Sequence, residues 1–125
     1  MIIYLYKKMS TALYANLLIP IGLKMSCIAN KKYEIANKGS KEIGKEEYMK
    51  QMAIKDDEYM ILYRQQIILK EKLRLVCIDW NVSYDYIISS IDKKVDKKIL
   101  DGLSTNFEIN ENDQKSINVI CMLIK

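Results

Sequence analysis

Between Lys45 and Asp79 the chain carries no Gly or Pro, and its apolar residues recur at helical spacings. Met49, Met52, Met60, Tyr63 and Ile67, with Leu62, Leu69, Leu73 and Val76, fall three, four or seven residues apart. That periodicity predicts one long helix or two shorter ones, Asp56-Asp57 offering a cap for a second helix from about Glu58. Upstream lies an apolar stretch, residues 1–29, with a core helix expected to break near Pro20, because proline removes a donor and crowds the preceding turn. Between the two, the polar residues 30–45 hold Gly39, Ser40 and Gly44 and read as a flexible loop. Downstream, helices are indicated at about 83–100 and 113–124, with Asp113 as an N-cap and Ile117, Ile120, Cys121 and Ile124 on one face. Alternation in Asn106–Ile109 and Ile117–Val119 also admits a short β-hairpin near the C-terminus. The expected fold is mainly α: a small helical bundle in a single domain, residues 1–125.

Composition agrees with a folded chain, since half of the 125 residues are hydrophobic and 29% are charged. A formal net charge of +4 favours an anionic partner without demanding one. Cys27, Cys77 and Cys121 are too far apart for a Cys-x-x-Cys site, and their odd number argues for buried thiols in a reducing, cytoplasmic setting. Lys7-Lys8 followed by the uncharged Met9 to Leu23 resembles the start of a signal peptide. That run is shorter than the roughly 20 residues of a spanning helix, contains Asn16 and Pro20, and ends at Lys24, so a buried helix is preferred over a membrane segment.

Catalysis is disfavoured by the residues missing. The chain has no histidine, which removes the usual general base and the commonest zinc ligand. Its four glycines, 22, 39, 44 and 102, are too scattered for a phosphate-cradling loop. Glu46-Glu47 and Asp56-Asp57-Glu58 sit among lysines and read as solvated charge, so neither a metal nor a cofactor is expected.

One constellation, residues 73–91, has the order of a helix-turn-helix. With Leu73 first, Val76 and the small Cys77 stand where two helices approach, Trp80 follows at position eight, and Asn81 takes the turn position that needs left-handed backbone. Val82 would plug the turn, Ser83 would cap the second helix and Ile87 would face inward. Ser83, Tyr84, Asp85 and Ser89 would then face base edges, and Lys93, Lys94, Lys97 and Lys98 the flanking phosphates. Ser90 at position eighteen is polar and Ile88, expected to point outward, is apolar. An ordinary bundle corner accounts for the same apolar residues.

Asn81 to Ile87 (NVSYDYI) is similar to the Gly-Val-Ser-x-x-x-Ile turn of Cro/repressor-type helix-turn-helix regulators of low-GC Gram-positive bacteria and their phages. The tail from Phe107 to Ile124 resembles the short amphipathic helix that closes them. In this chain Asn81 replaces the glycine, and about seventy residues precede the motif. The resemblance adds to the reading of residues 73–91 as the part of a transcriptional regulator that reads a short operator in duplex DNA, and a homodimer is the expected form of such a regulator. The alternative is a non-enzymatic helical protein, an interaction or inhibitor protein of a phage or mobile element, acting through its seven Met and nine Tyr.

Overall fold

The computed structural model describes residues 2–103 and 105–122, with side chains from residue 10 onward. Four helices follow one another: α1 (Ile2–Ile43), α2 (Lys45–Trp80), α3 (Tyr84–Leu100) and α4 (Glu111–Met122). No strand occurs among the described residues, so the mainly α expectation holds and Asn106 to Val119 forms a loop and a helix rather than a hairpin.

Several sequence-based boundaries move. The polar stretch 30–45 is helical to Ile43 rather than a loop, its glycines bending the chain only locally. Gly39 (φ 70°, ψ 171°) leaves helical geometry within α1, and Gly44 (φ 95°, ψ 140°) alone turns α1 into α2. Both positive φ values lie where a Cβ is disfavoured. Pro20 lies inside α1 and does not end it. The ring removes one backbone donor, and the burial of Leu17, Leu18, Ile21 and Leu23 around it outweighs that loss. Asp56 and Asp57 stand in the middle of an unbroken α2. α4 begins two residues earlier than expected because Asn110, not Asp113, caps it: Asn110 Oδ1 accepts from the Asp113 N–H at 2.8 Å.

α1 and α2 form an antiparallel hairpin. Near its middle Lys32 pairs with Asp56, and its ammonium lies 6.0 Å from the centre of the Tyr59 ring. The core is the seam between them, Leu17, Leu18, Ile21, Met25 and Ile28 of α1 against Leu62, Leu69, Leu73 and Cys77 of α2. The helix over Ser10–Ile43 reaches the length and mean hydropathy, 1.5, of a membrane span, and 44% of its apolar window is buried within the fold.

α3 and α4 close this hairpin from the side. From Tyr84, beside Cys77 and Arg74, α3 runs along α1 until Val95 meets Gly22, where an added Cβ would lie 3.2 Å from a Val95 methyl carbon. The following loop is tied to α1. Lys24 Nζ donates to the Phe107 carbonyl at 3.1 Å and to Glu108 at 2.8 Å, holding that carboxyl below the usual carboxylate range. α4 returns along α2, with Gln65 Nε2 donating to Asn118 Oδ1 at 3.3 Å and Ile117 fully buried. The order is up, down, up, down around one seam.

Leu69→Ala is expected to lower unfolding free energy by about 2–5 kcal/mol, the usual cost of emptying a buried leucine site. The same truncation at Ile67, which is 49% exposed, should cost less than about 1 kcal/mol. Urea denaturation of both variants measures the difference, and equal costs would contradict this packing.

Candidate nucleic-acid interface

Three residues, Asn81, Val82 and Ser83, separate α2 from α3. Asn81 holds φ 57° and ψ 41°. It is the one non-glycine with positive φ among the described residues, at the position where the sequence required left-handed backbone. Its N–H donates to the Ile78 carbonyl at 3.1 Å and the Val82 N–H to the Cys77 carbonyl at 3.0 Å. This crossed pair is a Schellman ending, which satisfies carbonyls that the last turn of α2 leaves without partners. Ser83 then starts α3, its hydroxyl oxygen accepting from the Tyr86 N–H at 3.2 Å. Residues 62–91 are therefore two helices, not one.

The packing of α3 differs from the expected pattern at three places. Its inward side carries Tyr84, Ile87, Ile88, Ile91 and Val95, all against the core. Ile88 thus faces in, not out, because α3 meets α1 as well as α2 and needs a wider apolar arc than a single contact would. Val82, expected as the plug of the turn, is 44% exposed. Tyr84, expected to read bases, is half-buried beside Cys77 and Arg74, and burial pushes its phenol above the ordinary value. The Cys77 thiol is raised by the same cause.

Outward from α3 stand Asp85, Ser89, Lys93, Lys94, Lys97 and Lys98, all exposed, with Ser83 exposed at its start. Tyr86 joins them at 76% exposure. The sequence reading missed it, although the spacing Tyr84, Ile88, Ile91, Val95 places Tyr86 on the opposite side of the helix. Asp85 and Asp96 share this side with Lys93 and Lys97, whereas the exposed Asp92 and Lys98 border the grooves that α3 makes with its neighbours. Asp85 in the first turn and Lys97 and Lys98 in the last also complement the helix dipole, a purely local reason for their order. Arg74, at the same end of the molecule, forms a two-pronged pair with Glu71 at 3.1 and 2.8 Å and is already engaged.

Elsewhere the described residues offer little for chemistry. They contain no group of three or more His, Cys, Asp or Glu placed to hold a metal ion. Cys27, Cys77 and Cys121 are free thiols, and the first two are buried. A groove of about 340 Å³ between α1, α2 and α3 brings Gln66, Lys70 and Asp92 among apolar walls. Compared with models of known families, with curated proteins and with solved structures, the chain matches none.

Two measurements follow from the corner. Asn81→Gly should leave stability within about 0.5 kcal/mol, whereas Asn81→Val should lose about 1–2 kcal/mol, the cost of forcing a branched residue into left-handed backbone. Equal melting of both variants would contradict the turn. The raised Tyr84 and Cys77 values favour the protonated forms in the folded state, so their contribution is complete below the unfolded values of about 10 and 8.5. It is lost as pH rises through the higher folded values. Urea midpoints should fall from about pH 8.5 upward, and Tyr84→Phe should flatten the part above about pH 10. A midpoint constant across that range would oppose the inward placement of Tyr84.

Proposed function

We propose that the chain is a non-enzymatic regulator that binds duplex DNA through the outward face of α3. The observation that carries the reading is the capped three-residue connection at Asn81–Ser83, after which Asp85 and Tyr86 in the first turn of a 17-residue helix face solvent. A helix offered in this way has the diameter to enter a major groove. Asp85, Tyr86 and Ser89 lie on its outward side, and each has hydrogen-bonding capacity toward base edges. A carboxylate accepts from the amino group of cytosine, and hydroxyls serve either base type. Lys93, Lys94, Lys97 and Lys98 supply phosphate contacts further along. Tyr86 takes the place that the sequence reading gave to Tyr84. Asp92 and Asp96 dilute the positive potential, so the complex is of modest affinity and steep salt dependence rather than a general coat. A DNA partner goes with a cytoplasmic location.

Fluorescence anisotropy against duplex fragments of the protein's own locus tests the reading. The logarithm of affinity should fall by roughly 0.9 per phosphate contact for each decade of salt. Each Lys→Ala change among positions 93, 94, 97 and 98 should weaken all sequences alike and lower that slope by about one contact. Tyr86→Ala should instead alter preference among sequences. Absence of binding, or a slope that the lysine variants leave unchanged, would sink the proposal.

A second reading, a helical interaction or inhibitor protein, is favoured by one specific observation. α2 exposes Met60, Ile61, Ile67, Leu75 and Ile78, at 43%, 56%, 49%, 53% and 63%. Exposed large apolar residues grouped on one helix face in this way mark protein contacts.

A further inference from the structure

The side of α2 that faces away from the other helices is charged along its centre and apolar on both flanks. Down the centre stand Lys50, Asp57, Arg64 and Glu71, seven residues apart, all exposed and alternating in sign. One flank carries Ala53, Met60 and Ile67, the other Ile54, Ile61 and Ile68, all exposed except the half-buried Ile68. The opposite side of α2, through Leu62, Leu69, Leu73 and Cys77, is the one buried in the core. Residues repeating every seven positions stay on one face when two helices pair at a shallow angle of about 20°.

The alternation of charge decides which pairing fits. In a parallel pair each central residue meets its own copy, Lys50 on Lys50 and Arg64 on Arg64, and every contact is repulsive. In an antiparallel pair about a two-fold axis between Met60 and Ile61, Asp57 meets Arg64 of the second copy and Lys50 meets Glu71. Both contacts occur twice by symmetry. The flanks agree in the same register. Met60 meets Met60, Ile61 meets Ile61, Ile54 faces Ile68, and Ala53 faces Ile67. At the ends Glu46 faces Arg74, which at present pairs within α2 with Glu71 at 2.8 Å. Moving the axis to Arg64 sets Arg64 against itself and Asp57 against Glu71, so the register is specified as well as the direction.

We propose that the outward face of α2 pairs antiparallel with the same face of a second copy of this chain, making a two-fold dimer. The six apolar flank positions of each copy supply the contact surface. Exposed ion pairs add little affinity, and their part is to select direction and register. The inference stands on α2 alone. Trp80 lies about 20 residues from the axis, so the two Asn81 corners would be about 60 Å apart at 1.5 Å per residue. DNA half-sites one helical turn apart are about 34–36 Å apart, and so this dimer neither requires nor supplies such a pair of readers.

Sedimentation velocity of the full chain over a micromolar concentration series, with helicity checked by circular dichroism, tests it. The unaltered chain should pass from monomer to dimer. Arg64→Glu and Asp57→Arg should each keep full helicity and weaken dimerisation roughly tenfold, since each sets two like-charge pairs across the axis. Mixing the two single variants in equal amounts should restore dimer, as should the double exchange Asp57→Arg with Arg64→Glu. A chain that stays monomeric throughout would overturn the proposal. So would single variants that dimerise like the original, or a mixture no tighter than its parts. None of these results bears on DNA binding, which is read separately by anisotropy.

Discussion

The burial of one seam holds the molecule together, that between Leu17, Leu18, Ile21, Met25 and Ile28 of α1 and Leu62, Leu69, Leu73 and Cys77 of α2. Helices in a folded chain owe most of their stability to packing rather than to propensity, and α1 and α2 persist because each covers the other's apolar stripe. Every later element leans on that hairpin. α3 adds Ile91 and α4 adds Ile117 to the same core, and neither has a buried partner elsewhere among the described residues. Gly22 lets α3 approach α1 closely at Val95, and Lys24 fixes the loop that follows.

Because the seam consumes only one side of α2 and one side of α3, both helices keep an outward face with a different chemistry. On α3 that face is short, polar and mixed in charge, beginning at a turn whose Asn81 and Val82 N–H groups close the last turn of α2 and whose Ser83 hydroxyl caps α3. On α2 it is long and apolar with alternating charge along its centre.

Much of this was legible in the residues, for identifiable reasons. The helical periodicity from Lys45 made α2 visible as one helix or two, and Asn81 and Ser83 announced the break between α2 and α3 because few residues tolerate left-handed backbone or cap a helix well. The misreadings share one cause, tertiary contact overriding a local signal. Glycines at 39 and 44 looked like a loop, yet the chain leaves helical geometry only at those two residues and is helical up to and between them. Pro20 looked like a helix end, yet burial on both sides carried α1 through it. Ile88 and Tyr84 were assigned faces from a two-helix pattern, and the contact of α3 with α1 rotated them inward. The outward face of Tyr86 follows from the spacing of Tyr84, Ile88, Ile91 and Val95 once Tyr84 is counted among the inward residues.

If α3 is the working surface of a frame set by the α1–α2 seam, hydrogen exchange of the full chain with and without duplex DNA will show both parts together. The slowest amides should be those of residues 17–28 and 62–77, unchanged by DNA, with added protection confined to residues 81–98. Protection appearing instead along the seam or the outward face of α2, or slowest exchange in α3 and α4, would contradict the account.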